Sequence, residues 1–397
     1  MADTPNKTAQ YFINLAQFAY WLGMPDIWIQ EVARPKRIVR IHDAYCYTCV
    51  ILISLLVVFE YGALFTEQEL SDRQHANMVL FVLCHPLVII FIMNSLYFEK
   101  RTKRLLYDLA VGLKSVYNDE DIEAVTVQKM KVLSRAFVWI FATAIFFYGV
   151  DALVNVVWYG ATFTTVILAW PQTHHRSPAA DLARVFFYLI FLNFMLLLGI
   201  TYMVNISITI CLSSQFKNMQ SYFYKLADLF KEDNMTQEQK ESKYEENFKL
   251  GIRLHAKTSW CKQEWQAICN VIFSFQVVLN IGILILMLAQ LVLSEERSLA
   301  SLIASLFTIG TILSSTGLLM LNAGDVTVEA REISTAIYHS GWENCAGSSP
   351  RVRKLLVCAM MKGQKPEILW ALRLIPMSYE SFVSIVKSTY SIFSLLY

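Results

Sequence analysis

Residues 34–65 read RPKRIVRIHDAYCYTCVILISLLVVFEYGALF. Four cations, Arg34, Lys36, Arg37 and Arg40, precede a run, 44–65, in which Glu60 is the only charged residue. A helix rises about 1.5 Å per residue and the hydrocarbon core of a bilayer is about 30 Å thick, so about 20 apolar residues are needed to cross it. The run is long enough. The cations before it mark that end as cytoplasmic.

Six further runs of this character follow, at 76–98, 136–160, 182–212, 266–293, 299–321 and 377–396. Of the 34 Lys and Arg, 29 lie in the N-terminal segment and in the connections after the second, fourth and sixth runs. The connections after the first, third and fifth hold one each: Arg73, Arg176 and Arg297. This alternation predicts an all-α membrane protein with seven transmembrane helices, the N-terminus cytoplasmic and the C-terminus extracellular. G-protein-coupled receptors have the opposite orientation. The predicted organisation is a cytoplasmic N-terminal segment (1–43), transmembrane helices one to four (44–212), a cytoplasmic helical hairpin (213–265), transmembrane helices five and six (266–322), cytoplasmic anchor helices (323–376) and a last, pore-lining transmembrane helix (377–397). A mean hydropathy of +0.42 agrees. The first 20 residues lack the basic and apolar order of a cleavable signal peptide, so insertion is expected to start from span one.

Several function classes are disfavoured. No cysteine falls in a predicted outside loop, so no extracellular disulfide framework is expected. Cys46 and Cys49 form a lone C-x-x-C inside a span and read as packing residues. His174-His175 has no third ligand spaced for zinc, no nucleotide-binding glycine loop or nucleophile elbow occurs, and no charge run suggests nucleic acid. Neither an enzyme nor a cofactor is expected. A secondary transporter is the main competing class, disfavoured by the odd number of intact spans.

The cytoplasmic connections carry helical stripes. Phe216, Met219, Phe223, Leu226 and Phe230 recur at three- and four-residue steps, and the pattern resumes at Phe248, Ile252 and His255. Ser349, Pro350 and Gly363 punctuate a short helix of about twelve residues. These stripes need apolar partners below the membrane.

The most specific signal is C-terminal. Residues 360–366 (MMKGQKP) and 375–396 (IPMSYESFVSIVKSTYSIFSLL) resemble the C-terminal signature of insect odorant receptors. Gustatory receptors are relatives sharing a Thr-Tyr pair, here Thr389-Tyr390. The Gln-Phe that usually follows in them is absent, and a gustatory-receptor-like channel is the alternative within this group. The short second cytoplasmic loop resembles that of a ligand-specific tuning subunit, whereas the shared co-receptor has a larger insertion there. The resemblance implies a tetrameric, non-selective cation channel assembled with the co-receptor in the plasma membrane of olfactory dendrites. In that architecture the last helix lines the pore, for which Thr389, Phe393, Leu396 and Tyr397 are the matching residues. Independently, the hydroxyls of the last span and the seven-residue spacing of Glu380 and Lys387 give it a face tolerable to water.

Family members bind a small hydrophobic odorant between spans two, three, four and six. The corresponding residues are Met78, Phe81 and His85 on span two; Phe147, Asp151, Val154 and Trp158 on span three; Phe187, Phe191 and Met195 on span four; and Phe307 and Thr311 on span six. An acid inside a span is costly unless partnered, and Arg184, at the outer end of span four, is a candidate partner of Asp151. His85 precedes Pro86, whose freed backbone carbonyl gives it a structural role, and Glu60 lies within reach of the outer interface. The ligand itself is not legible.

Overall fold

The computed structural model describes residues 6–28, 35–232, 234–293, 299–347 and 349–396. Among them run α1 (Lys7–Trp21), α2 (Lys36–Thr66), α3 (Asp72–Tyr97), α4 (Glu99–Tyr107), α5 (Glu120–Tyr159), α6 (Pro178–Leu226), α7 (Gln237–Leu293), α8 (Leu299–Tyr338), α9 (Ser349–Gly363) and α10 (Tyr379–Leu396). Six of these, α2, α3, α5, α6, α7 and α8, are long and apolar enough to cross a membrane. The seventh predicted run coincides with α10, 18 residues long. Arg34, Arg297 and Tyr397 lie outside the described residues.

Helix starts follow local chemistry. Asn6 caps α1 through Ala9 N, and Ser71 and Gln74 form a reciprocal capping box at α3. Asp119 accepts from Asp121 N and Ile122 N at the start of α5, and Ser177, followed by Pro178, caps α6. Each cap satisfies backbone N–H groups that the first helical turn leaves unpaired. Gly160, at φ +58°, ends α5 in a left-handed conformation open to glycine.

The long helices exceed the length needed to cross a bilayer. At about 1.5 Å per residue, the 57 residues of α7 span about 85 Å. α6 passes through the centre of the molecule, packed against α5, α7 and α8. Beyond the membrane-spanning length, α6 and α7 form a hairpin. Phe216, Met219, Phe223 and Leu226 of the predicted stripe are buried there. Phe223 meets Phe248 edge-on at 5.8 Å, and Phe230 meets Tyr244 at 5.5 Å. Gly251 permits the closest approach: a Cβ there would stand 2.7 Å from the Phe223 ring. The stripe is therefore covered largely within its own chain.

The N-terminal segment, expected only as cytoplasmic, contains α1, whose apolar face is buried. Glu123 of α5 anchors it by accepting from Thr8 N (3.0 Å) and Thr8 Oγ1 (2.8 Å), while Lys114 approaches the same carboxylate at 3.3 Å. α9 lies on α8 through Val352, Leu356 and Ala359, leaving Val357 and Met361 exposed. The region expected to be purely helical up to residue 376 ends instead in a short antiparallel hairpin, β1 (Trp370–Ala371) and β2 (Ile375–Pro376). Gln266 of α7 supplies the β1 backbone with the pairing a third strand would give. Its Oε1 accepts from Trp370 N at 2.7 Å, and its Nε2 donates to Trp370 O at 3.0 Å.

Candidate ligand-binding site

A cavity of about 150 Å³ lies inside the bundle, walled by five helices. Phe81, His85, Val88 and Phe91 come from α3, and Phe137, Phe141, Ala144, Ile145 and Tyr148 from α5. α6 supplies Phe191, Met195, Leu198 and Tyr202; α7 supplies Leu279, Asn280 and Ile283; α8 supplies Thr308, Thr311, Ile312 and Ser315. Helical spacing explains each set. On α5, positions 137, 141, 144, 145 and 148 fall on one face at three- and four-residue steps. The wall is aromatic and close-packed: Phe81 lies 5.7 Å from Phe191 and 6.2 Å from Tyr148.

One ionisable pair sits at the edge of this apolar space. Glu60 of α2 meets His85 Nδ1 at 2.7 Å and 2.9 Å through its two carboxylate oxygens, and both side chains are buried. The contact occupies Nδ1 of the imidazole and turns Nε2 away from Glu60. The ring stacks on Phe81 at 4.9 Å and takes Phe194 edge-on at 5.2 Å. Two expectations are thereby corrected. His85 pairs with Glu60 rather than with a backbone carbonyl freed by Pro86, and Glu60 turns inward rather than to the interface. Each removes the other's penalty for standing unpartnered in an apolar interior.

The remaining sequence candidates separate into two groups. Phe81, His85, Phe191, Met195 and Thr311 lie together on the cavity wall. Met78 packs instead with Ala63, Val82 and Ile167. Phe187 is buried against Phe59 at 5.4 Å, and Phe147 stacks on Phe307 at 6.2 Å. Val154 is half-buried, and Trp158 is 79% exposed on the outside of α5. The stripe from 147 to 158 is one residue out of phase with the stripe that reaches the cavity, and one residue turns a helix by about 100°. Asp151 pairs with Arg73, not with Arg184. Arg184 instead donates to Asp181 at 2.7 Å and to the carbonyls of Gln172 and His175 at 2.6 Å. It thus ties down the connection between α5 and α6, which Glu67 also holds by accepting from Thr173 N and Oγ1.

Sequence reading missed the contribution of α7, the stripe centred on Phe141 and Tyr148, and Tyr202. The period of the α5 stripe was available in the sequence. What was missing was its rotation towards the neighbours.

On α10 the accessible polar groups form one groove, lined by Glu380, Ser384, Lys387, Ser388 and Ser391 among others. Thr389 is turned the opposite way. It is buried, which places it on the packing face of the helix, and it donates to Ile385 O of its own preceding turn at 2.9 Å. Phe393 is half-buried. Nothing is described for the Leu396 side chain or for Tyr397, which lies outside the described residues. No group of three or more metal-ligating side chains forms among the described residues.

The family model described as "7tm Odorant receptor" matches residues 74–390. The chain belongs to the 7tm odorant receptor family. Two solved structures of the insect olfactory receptor OR5 from Machilis hrabei, one in complex with eugenol, share its fold. They superpose with TM-scores of 0.79 and 0.78 at 13% identity, and each alignment covers 98% of this chain and 97% of the other. No curated protein sequence matches the chain significantly. In this odorant receptor, then, the buried aromatic cavity is formed by all the long helices except α2. The partner of its histidine comes from α2.

Proposed function

We propose that this odorant receptor is a ligand-specific subunit of a ligand-gated, non-selective cation channel, and that a small hydrophobic odorant binds in the cavity walled by α3, α5, α6, α7 and α8. The observation that carries this reading is the cavity itself: set between five helices, aromatic, and provided with a few polar groups, the composition expected of a small-molecule site. The eugenol complex of the Machilis hrabei receptor supports a ligand of similar character. Binding between helices that meet near α10 biases the packing of α8 against α10, and through it the pore.

The pore-lining strip is Glu380, Ser384, Lys387, Ser388 and Ser391, supported by their shared open groove in a single subunit. Phe393, Leu396 and Tyr397 form the apolar constriction that gates by dewetting. The partner is the odorant co-receptor in a hetero-oligomer, a tetramer, with the exposed Val357 and Met361 of α9 among its contacts. The receptor is a multi-pass protein of the plasma membrane of olfactory dendrites, with its N-terminus cytoplasmic.

Co-expression with the co-receptor in oocytes, followed by an odour panel, tests the reading. Odour-evoked inward current is expected, lost when sodium is replaced by an impermeant cation. Ala144→Trp, which fills the cavity from α5, is expected to silence it at normal surface levels. Current unaffected by Ala144→Trp would place the ligand elsewhere. A flux that persists without permeant cations would favour a transporter.

A further inference from the structure

We infer that the cavity selects odorants carrying a hydrogen-bond-accepting oxygen, a carbonyl above all, through the side-chain amide of Asn280; the inference rests on the cavity being the odorant site. Asn280 belongs to α7, is 3% exposed and contributes to the cavity wall. Its amide nitrogen Nδ2 is buried without a hydrogen-bond partner among the described residues.

Most other donors on the wall already have acceptors. Thr308 donates to Ala304 O and Thr311 to Phe307 O, both at 2.8 Å, and Ser315 donates to Ile312 O at 2.9 Å. Tyr202 donates to Gln276, and His85 Nδ1 is taken by Glu60. Asn280, on the wall of this aromatic cavity, therefore holds a donor that no described residue receives. Leaving such a group unpaired disfavours the state by a factor of about 5 to 150, equivalent to about 1–3 kcal/mol. A ligand oxygen at Nδ2 recovers that factor, and a hydrocarbon of the same shape does not. Discrimination by a site's own unsatisfied polar group is stronger than discrimination by a methylene's worth of volume.

Size narrows the class further. A cavity of about 150 Å³ is comparable to one that accepts benzene, so the ligand is a compact ketone, aldehyde or small ester rather than a long-chain compound.

Matched pairs that exchange C=O for C=CH₂ isolate the hydrogen bond at constant shape. Cyclohexanone against methylenecyclohexane, and benzaldehyde against styrene, would be applied to oocytes expressing the receptor with its co-receptor. The carbonyl member is expected to reach half-maximal current at concentrations at least about ten-fold lower than its hydrocarbon twin. Asn280→Leu removes the donor at nearly constant volume and is expected to bring the ratio close to one, weakening the carbonyl response and strengthening the hydrocarbon one. Should that variant reach the surface poorly, Asn280→Ala removes the same donor without added bulk and is read the same way. Equal potency of the twins in the unaltered receptor, or a ratio unchanged by removing Asn280, overturns the proposal and leaves the cavity standing as the odorant site. Silence to all four compounds also overturns it. Responses that survive Ala144→Trp overturn the proposal together with the cavity reading.

Discussion

Glu60 and His85 are the clearest case of a residue pair whose meaning lies in its burial. Neither tolerates isolation in an apolar interior, and breaking a buried pair from one side costs about 3–5 kcal/mol. Glu60→Ala is therefore expected to lower the melting temperature of the detergent-solubilised receptor sharply. Replacing both partners, Glu60→Leu with His85→Phe, is expected to restore most of the loss, because no uncompensated charge remains. A double variant as unstable as Glu60→Ala would show that the pair contributes nothing as a pair. At the start of α5, Asp119 acts by charge. The Ser221 hydroxyl donates to it at 2.6 Å and is the largest influence; with Lys225 at 3.1 Å it outweighs burial and holds the carboxyl down to about 2. The folded-state value lies below the ordinary value of about 3.9. The stabilisation is therefore complete above roughly pH 4 and disappears as pH falls through the folded value. The melting-temperature difference between the native receptor and Asp119→Asn should be constant above roughly pH 4 and shrink towards pH 2. A difference that persists through that window would remove Asp119's charge as the cause.

At the scale of the element, α9 and α10 each have one satisfied face and one open face. α9 buries Val352, Leu356 and Ala359 within its own subunit and exposes Val357 and Met361. Under the proposed hetero-oligomer, Val357→Asp with Met361→Asp should reduce co-purification of the co-receptor while leaving the melting temperature of the isolated subunit nearly unchanged, since exposed positions usually shift stability by less than about 0.5 kcal/mol. Normal co-purification would remove this face from the interface. For α10, Lys387 lies in the open groove and Thr389 on the packed face. If the groove faces the pore, Lys387→Gln should change conductance or reversal potential without reordering odour preference. Thr389→Ala should change stability but not permeation. The opposite pattern, read in the same recordings, would turn the helix around.

For the whole molecule, 29 cations against 3 on alternate connections predict a single orientation. A tag at Met1 should be reached by antibody only after permeabilisation, and one after Tyr397 on intact cells. Labelling of both on intact cells would sink the seven-span reading. Much of the fold was legible: the long apolar helices, the hairpin stripe from Phe216 to Leu226 and the short helix opened by Pro350 all depend on chain length, local period and capping. α1 escaped notice because its short apolar stripe was overshadowed by the longer runs. The β hairpin escaped because its pairing comes from Gln266, about a hundred residues away. The cavity was only half legible. Five of its wall residues could be named, but Trp158 and Phe191, equally aromatic, end at 79% and 2% exposure. In a soluble protein the apolar face of a helix points inward. In a bilayer, lipid and protein interior are both apolar, so side-chain polarity carries little record of which way a helix is turned. By itself, then, the sequence determined the family, the number and length of the apolar segments and their expected orientation, all properties of one stretch of chain at a time. Only the tertiary structure decided that Glu60 meets His85, that Arg73 meets Asp151 and that Asn280 reaches the cavity, because those depend on the relative rotation and depth of helices far apart in the chain.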